Sequence, residues 1–387
     1  MTKIFEEKSR CCGCGGCAAA CPFGAISMKA DSEGFFYPRI DRKKCTDCGR
    51  CEAVCPLKEA KGESPEGKSL PAGHPQKAGK ERVYMGAQAK EDSVRFASSS
   101  GGVFPVLAKE ALSRGGVVFG AAMEEDGTVR HRAVGTPEEL AALQKTKYVQ
   151  SDLTGCFQKV RQYVTAGRPV LFSGLPCQCQ AVKRYVGESD HLLLADLVCY
   201  GAPSAKIWKK YVRELEKKYG GRFLGFSFRD KREKNNGQTV SVKIGEREYV
   251  WPIRRDQFCR LYFWNVLLRP SCYRCRFCTV NRESDITMGD FWGIEKVKPE
   301  MEDQMGTSMV ILHSEKAVRL WKTVEDRFRY FTCRKEDILQ PRLCGPTDLP
   351  KRRRPVFLQL CRFMPLAAAE RAVKRMGRKT AKKGGAP

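Results

Sequence analysis

Eight cysteines near the amino terminus repeat one spacing twice. In each run, three cysteines are separated by two residues, and a fourth follows after three more and directly precedes a proline. The cysteines are Cys11, Cys14, Cys17, Cys21, Cys45, Cys48, Cys51 and Cys55. This is the ligand run of a bacterial 4Fe-4S cluster. Glycines beside the cysteines, among them Gly13 and Gly49, permit the tight turns that wrap thiolates around a cubane. We therefore expect two 4Fe-4S clusters.

The fourth thiolate of each cluster is expected to come from the other run. In two-cluster ferredoxins the last cysteine of a run binds the other cluster. The assignment is therefore one cluster on Cys11, Cys14, Cys17 and Cys55 and the other on Cys45, Cys48, Cys51 and Cys21. Zinc sites are the alternative, but zinc favours two separated C-x2-C pairs. Ala25–Met28 and Gly34–Pro38 fit a hairpin between the runs. Cys12 lies outside the ligand frame and is interpreted as a spare thiol.

Length, charge and cysteine usage limit the class of protein. A chain of 387 residues is too long for a ferredoxin module alone and long enough for two or three domains. It has 20 cysteines, but they cluster at ligand spacings and no signal peptide precedes them, so we expect a cytoplasmic, reduced protein. No apolar run approaches the roughly 18 residues of a membrane span. The net charge of +26 indicates acidic partners, such as an acidic electron carrier, a phosphate-rich cofactor or anionic lipid.

A Ser/Gly turn follows a segment of linker composition. Residues 61–82 are rich in Lys, Gly, Pro, Ser and Glu, which is typical of a linker. Beyond a predicted strand, a helix opens at Ser98, Ser99, Ser100, Gly101 and Gly102. Hydroxyls and free amides at the positive end of a helix dipole suit a pyrophosphate. Plain capping of the helix by Ser99 or Ser100 is the commoner meaning of such a turn. The residues alone leave both interpretations open.

Further cysteines lie among the alternating strands and helices that follow. Cys177 and Cys199 each follow the carboxyl end of a predicted strand, which is the edge where open α/β sheets place their sites. A later C-x2-C-x2-C run consists of Cys272, Cys275 and Cys278. This run can hold three corners of a cluster and needs a remote fourth ligand. Cys177 and Cys199 are the available candidates.

The assembled motifs resemble the family of coenzyme F-420 hydrogenase and dehydrogenase beta subunits, in the bacterial form with a dicluster ferredoxin domain in front. The matching segments are Ser98–Gly102, Lys147–Ser151, Gly174–Gln178, Asp196–Ser204 and Cys272–Gly293. The resemblance covers roughly residues 1–345. It implies FAD bound in the α/β part through Ser98–Gly102, and a third 4Fe-4S cluster on Cys177, Cys199, Cys272 and Cys275. In archetypal members it also implies hydride transfer between the flavin and the deazaflavin coenzyme.

The sequence departs from the family pattern at two positions. Cys278 stands where members often lack a cysteine, so it is either an alternative ligand or a core thiol. Tyr200 stands where many relatives have His, which casts doubt on an acid–base role there. Other cysteines match no motif and are interpreted as buried small hydrophobes, namely Cys156, Cys259, Cys333, Cys344 and Cys361. No catalytic residue is assigned.

The predicted fold class is α+β and α/β. We expect a ferredoxin-like dicluster domain, followed by an α/β flavin and iron–sulfur domain with a mixed sheet. The predicted divisions are a dicluster domain at 1–60, a linker at 61–82, a flavin-binding part at 83–165, a third-cluster part at 166–349 and a basic tail at 350–387.

The predicted function is that of an iron–sulfur flavoprotein oxidoreductase. Cubanes pass single electrons and a flavin accepts one or two, so the dicluster domain would serve a carrier such as ferredoxin. Two alternatives remain: an electron-transfer subunit for a separate catalytic partner, and an accessory protein with structural clusters. The sequence does not name the substrate on the far side of the flavin, and nucleic acid is not an expected partner.

The basic tail has two interpretations. Leu366, Ala369, Val373 and Met376 fall on one helical face, with basic residues towards the other side. Such a helix could rest on an anionic membrane surface. The alternative is a solvated basic terminus, because the apolar face is short.

Overall fold

The amino-terminal module is an antiparallel hairpin with two short helices. The structure is a computed structural model that describes residues 4–58, 82–233 and 235–383, without the side chains of residues 377–383. In the hairpin, Ile26–Ala30 pairs with Phe36–Ile40. The predicted hairpin is thus present, with both strands shifted about two residues towards the carboxyl terminus. The helices Gly16–Ala19 and Arg50–Ala53 each begin after a left-handed glycine.

The elements are numbered in chain order. The strands are β1 Ile26–Ala30, β2 Phe36–Ile40, β3 Val83–Ala89, β4 Val117–Met123, β5 Val129–Val134, β6 Val170–Gly174, β7 Leu192–Leu197, β8 Phe223–Asp230, β9 Thr239–Ile244, β10 Arg247–Pro252, β11 Ile286–Asp290, β12 Ser308–Leu312 and β13 Phe328–Cys333. The α-helices are α1 Gly16–Ala19, α2 Arg50–Ala53, α3 Asp92–Phe96, α4 Val103–Ser113, α5 Cys156–Thr165, α6 Pro176–Val186, α7 Ala205–Tyr219, α8 Gln257–Phe263, α9 Ile294–Val297, α10 Glu315–Lys322, α11 Pro341–Cys344, α12 Arg353–Leu360 and α13 Leu366–Lys383. Short 3-10 helices include Glu138–Leu143 and Pro270–Arg274.

The large sheet determines where the functional loops meet. Within the described residues it has eight strands in the order β13-β3-β12-β11-β7-β6-β4-β5. Strands β4, β6, β7 and β11 are parallel, and β5 and β12 flank them in antiparallel pairing. Two antiparallel pairings separate β3 from β11, so β3 runs in the direction of the parallel strands. The predicted mixed α/β sheet is confirmed, and the carboxyl ends of β3, β6, β7 and β11 share one edge.

Apolar side chains cover both faces of this sheet. On one face, α4 and α10 pack through residues such as Leu107 and Trp321. On the other face, α5 and α6 pack through residues such as Val160 and Val182. A second sheet, ordered β10-β9-β8, packs with α7 and α8 around Trp208 and Phe258. The linker predicted for residues 61–82 lies outside the described residues, except for Arg82.

The carboxyl-terminal helices belong to the core beside the second sheet. Leu366, Ala369 and Val373 of α13 are buried there together with Phe357 of α12. The Glu370 carboxylate also accepts hydrogen bonds from the Arg260 guanidinium on α8. The apolar face predicted for a membrane surface therefore contacts protein and is not presented to lipid. No described helix is long and apolar enough to cross a membrane.

A pair of substitutions tests the placement of the tail. Leu366→Ala should lower the free energy of unfolding by about 3 kcal/mol, because it leaves a partly unfilled space in the core. Phe363→Ala is the matched control, since Phe363 is 84% exposed, and it should change that energy by less than about 0.5 kcal/mol. Anaerobic urea titration followed by circular dichroism measures both. Equally small effects would contradict a core position for α13.

Candidate functional site

The first cysteine group surrounds a cavity within the amino-terminal module. The lining of the cavity includes Cys11, Cys14, Cys17 and Cys55. This is the grouping expected from the exchange of the last cysteine between runs. Burial raises the pKa of the Cys11 thiol to about 11, although the nearby Arg269 guanidinium opposes the rise. Gly13 has φ +68°, and a Cβ there would lie 2.5 Å from Arg269 Nη1, so this turn leaves no space for a side chain.

The second cysteine group lies on the outer side of the module. Its cavity is lined by Cys21, Cys45, Cys48 and Cys51, together with Phe23 and Arg50. Cys48 is exposed and Cys51 is buried. The two groups are neighbours, because the Cys51 charge contributes to the raised pKa of Cys17 in the first group. The second group therefore faces solvent, and the first lies inward of it.

The third cysteine group forms where loops from the large sheet meet a loop that follows α8. Cys177 lies in the first turn of α6, directly after β6, and Cys199 lies two residues beyond β7. An antiparallel bridge between Pro203 and Leu268 aligns the β7 loop with the segment that leads to Cys272. The Ala202 amide donates to Cys272 Sγ at 3.3 Å. The topology thus brings together cysteines that are up to 98 positions apart in the sequence, from 177 to 275.

The thiols of the third group are partly buried and interact with one another. Burial raises the pKa of Cys272 to about 12. Burial and the charges of Cys272 and Cys275 raise the pKa of Cys199. A hydrogen bond from the neighbouring Cys278 thiol lowers the pKa of Cys275, so Cys278 lies within the group as well. Among the described residues, no three His, Cys, Asp or Glu side chains are arranged around a single metal ion.

Cys12 lies between the first and third groups, which its sequence context did not reveal. Its buried side chain packs in the same cluster as Cys14 of the first group and Cys177 of the third, and its interactions with these two thiols lower its pKa. The Gln150 amide donates to the Cys12 carbonyl at 2.9 Å and fixes this part of the chain. This position does not test the interpretation of Cys12 as a spare thiol, which stays a prediction, but it makes Cys12 a contact between two cysteine groups. Only the doubled cysteine at 11 and 12 could have signalled it.

Arg269 joins the module to the α/β part and is 1% exposed. Its Nε donates to the Cys11 carbonyl at 2.7 Å, and its Nη2 donates to the Phe36 carbonyl at 2.7 Å. Nη2 also lies 3.7 Å from Cys11 Sγ. The guanidinium stacks over Tyr37, 4.4 Å from the ring centroid. Because Cys272 follows three residues later, a positive charge is held between the first and third groups.

A second buried arginine lies beside the third group. Arg282 Nη1 is 2.7 Å from Asp196 Oδ1, and both side chains are almost fully buried. The Thr287 hydroxyl donates to the same carboxylate oxygen at 2.7 Å. The Arg282 charge acts to lower the pKa of Cys199 and Cys275. Sequence reasoning assigned a role to neither arginine, although each lies within four residues of a cysteine of the C-x2-C-x2-C run.

The Ser/Gly turn lies at the same sheet edge. Many of its hydroxyl and amide groups are hydrogen-bonded to other protein groups. Ser99 Oγ accepts from the Thr146 amide at 2.8 Å, and Ser100 Oγ donates to the Thr307 carbonyl at 3.0 Å. The Gly101 amide donates to Ser308 Oγ at 2.9 Å. A Cβ on Gly101 would lie 2.2 Å from the Ala87 carbonyl oxygen, so chain packing alone requires this glycine.

The remaining two members of the turn have their own roles. The Ser98 hydroxyl is buried and donates to the Val94 carbonyl at 2.7 Å. Gly102 has φ +90° and is the residue before α4, so it provides the left-handed conformation from which the helix starts. Neither Ser99 nor Ser100 caps α4 through its side chain, so plain capping is not the role of the turn.

Aromatic rings lie between the Ser/Gly turn and the third cysteine group. Tyr148, two residues after the amide that bonds Ser99, stacks on Tyr262 with ring centroids 5.0 Å apart. The Tyr262 hydroxyl donates to the Gly201 carbonyl, two residues after Cys199, at 3.0 Å. Tyr200 and Phe263 complete the cluster. These contacts, with the chain segments 146–148 and 199–201 that join them, place the aromatic cluster between the turn and the cysteines.

Comparison with protein families identifies both parts of the chain. Residues 10–58 and 37–93 match two models of 4Fe-4S dicluster domains, so the amino-terminal module is a dicluster iron–sulfur domain. Residues 84–157 match the N-terminal part, and residues 167–337 the C-terminal part, of the coenzyme F-420 hydrogenase/dehydrogenase beta subunit. The chain belongs to this family of oxidoreductase subunits, as the motifs predicted.

A solved structure with a similar chain comes from an F-420-reducing NiFe hydrogenase complex. That complex, from Methanosarcina barkeri, was studied as a xenon derivative. The similarity has a TM-score of 0.44 and 16% identity, and it covers 67% of this chain and 84% of that chain. A comparison with curated proteins gives no match.

Single cysteine substitutions should separate the third group from the first two. The anaerobically purified protein should contain about twelve irons and twelve sulfides per chain, and Cys272→Ser should leave about eight of each. Cys344→Ser is the control at an exposed cysteine and should leave the content unchanged. Chemical iron and sulfide assays measure this.

Because Cys275 and Cys278 are in contact, the same experiment can test which of the two thiols is the fourth ligand. If either thiol can serve as the ligand, Cys275→Ser and Cys278→Ser should each retain about twelve irons and the double variant about eight. Full iron content in Cys272→Ser, or zinc in place of iron, would contradict a third 4Fe-4S site.

Substitution of Arg269 should change a reduction potential. Because its charge lies beside a first-group thiolate, Arg269→Met should make one cluster harder to reduce, by on the order of 100 mV. Arg274→Met, an exposed arginine in the same loop, is the control and should leave the potentials unchanged. Redox titration followed by electron paramagnetic resonance gives the values. Arg269→Lys retains the positive charge and should lower the reduction potential less. If Arg269→Lys lowers the reduction potential as much as Arg269→Met does, an electrostatic role of Arg269 is contradicted.

Proposed function

We propose that the protein is an iron–sulfur flavoprotein oxidoreductase, which passes electrons between a one-electron carrier such as ferredoxin and a two-electron partner. The observation that carries the proposal is the ordered series of three cysteine groups. The second group faces solvent at Cys48, the first lies inward of it, and the third lies at the carboxyl edge of the large sheet. Such a series suits transfer of single electrons from the surface to a buried site.

The cysteines fit the proposed clusters in number and chemistry. The ligand sets are Cys11, Cys14, Cys17 and Cys55 for the first cluster, Cys45, Cys48, Cys51 and Cys21 for the second, and Cys177, Cys199, Cys272 and Cys275 for the third. The cavities support the first two sets, since each is lined by the four cysteines of its set, with Cys12 as a fifth in the first cavity. Contacts among the thiols support the third, with Cys278 as an alternative to Cys275. Bound 4Fe-4S clusters supply one-electron transfer.

The FAD proposal is supported by the family and by the position of the Ser/Gly turn. The turn precedes α4, whose first-turn amides lie at the positive end of the helix dipole and suit a pyrophosphate. The path through Tyr148 and Tyr262 connects the turn to Cys199 at the same sheet edge. When bound, FAD would supply the conversion between single electrons and electron pairs. In this proposal the turn holds the phosphates and the aromatic cluster faces the ring system.

The two-electron partner proposed from the family is a deazaflavin coenzyme or another hydride carrier. The aromatic cluster offers flat apolar surface, and Arg342 lies over Tyr200, 4.7 Å from the ring centroid. A cation beside aromatic rings suits a flat anionic ring system. A reduced, cytoplasmic setting is also proposed, because all the cysteines are free thiols and such thiols persist where glutathione keeps them reduced.

The second candidate is an electron-transfer subunit without its own flavin, which serves a separate catalytic subunit. This candidate is favoured by the hydrogen bonds of the Ser/Gly turn. Protein groups, and not a ligand, already bond the hydroxyls of Ser98, Ser99 and Ser100 and the amide of Gly101. Flavin content separates the two candidates.

Flavin analysis and carrier-dependent reduction test the proposal. The anaerobically purified protein should contain roughly one noncovalent FAD per chain. Reduced ferredoxin should bleach the flavin absorbance, and Cys45→Ser and Cys272→Ser should each slow this bleaching at least about tenfold, because each interrupts the series. Cys344→Ser should bleach at the unmodified rate, and dithionite should bleach every variant. Cluster-replete protein that lacks flavin and gains none from FAD or FMN would instead establish the electron-transfer subunit.

A further inference from the structure

We infer that the face around Cys48 is the docking surface for an acidic one-electron carrier protein. This face is defined by Phe23, Arg39, Arg42, Lys43, Lys44 and Arg50. The inference rests on the proposed function, since it specifies where and through which charges the carrier binds. In the step itself, the carrier gives up one electron and the second cysteine group's cluster gains it, with no bond or proton exchanged.

The second cysteine group is the outermost of the three, so the face beside it is the one proposed for carrier docking. Cys48 is exposed, whereas Cys12 and Cys14 are buried against the α/β part and Cys17 is buried within the module. The Arg184 guanidinium donates to the Cys55 carbonyl, which closes the inner side of the module against α6. A protein carrier therefore approaches the series most closely at Cys48.

An exposed aromatic side chain lies at this opening. Phe23 is 51% exposed and lines the same cavity as Cys48. It directly follows Pro22, and both belong to the turn after the ligand run. An apolar centre with a charged rim is the usual composition of a protein interface. Phe23 thus provides the apolar centre of the face.

The rim of the face is basic. Residues 39–50 contain five basic residues, Arg39, Arg42, Lys43, Lys44 and Arg50, and two acidic residues, Asp41 and Asp47, so the balance is +3. The basic side chains are exposed. Within the described part of the chain, neither Lys43 nor Lys44 has a salt bridge. The charges of Lys43 and Lys44 therefore remain available to an anionic partner.

The positive charge of this face also indicates which kind of protein binds it. A second copy of this chain has a net charge of +26 and would be repelled by a basic face. An acidic carrier is attracted instead, and long-range attraction raises the rate at which it encounters this face. Such an interface is small and short-lived, which suits a carrier that must leave after one electron.

Binding measurements with matched charge reversals test the surface. The probe is an acidic ferredoxin with two 4Fe-4S clusters, in its oxidised form, titrated calorimetrically into the full-length chain with its clusters. Lys43→Glu combined with Lys44→Glu should weaken binding about tenfold at low salt. The control pair, Lys109→Glu with Lys322→Glu, makes the same change in net charge on α4 and α10 and should stay within about twofold. Added salt should weaken binding to the unmodified chain more than to the Lys43/Lys44 variant.

Further readouts separate this surface from the proposed function. Phe23→Ala should weaken binding without changing its salt dependence, and iron content should be unchanged in every variant. Equal affinity of the two charge-reversed pairs, or no binding by the unmodified chain, would overturn the surface. If the carrier binds at this face and methyl viologen reduces the clusters, yet bound reduced carrier transfers no electron, the surface stands and the proposed carrier function fails.

Discussion

The buried guanidinium of Arg269 is the interaction on which the arrangement of the cysteine groups depends. It bonds two backbone carbonyls of the dicluster module while its own backbone amide bonds Ala202 in the loop that bears Cys199. One side chain therefore fixes the distance between a loop of the first group and loops of the third. The ion pair between Arg354 and Glu33 and the bond from Arg184 to Cys55 hold the same interface at other points.

A buried positive charge needs a compensating negative charge. Among the described residues, Arg269 has no carboxylate partner, and its nearest anionic group would be a thiolate of Cys11. An unpaired buried ion costs several kcal/mol, whereas a 4Fe-4S cluster with four thiolates is anionic overall. Cluster binding would then stabilise closure of the module on the α/β part, and the buried arginine would in turn favour electron uptake. Metal binding and domain packing are thus coupled by one charge.

How far the sequence predicted the molecule depends on how local each feature is. The ligand runs repeat within 45 residues, from 11 to 55, so their spacing predicted the four cysteines that line the second cavity and four of the five that line the first. The mixed sheet followed from alternating apolar segments. The place of Cys12 could not be predicted, because it depends on how the module packs against α6. The tail was misjudged since its amphipathic pattern fits a membrane surface and a core position equally well, and only the partner surface on α8 decides between them.

The contrast in exposure between Cys48 and Cys17 has a consequence for how oxygen damages the protein. Dissolved oxygen reaches the second group without any opening of the fold, because Cys48 is exposed, whereas every cysteine of the first and third groups is buried or partly buried. The iron released earliest on aeration should therefore come from the outermost group. A protein damaged in this way would still contain most of its iron and would keep its packed interior. It would no longer exchange electrons with an external carrier.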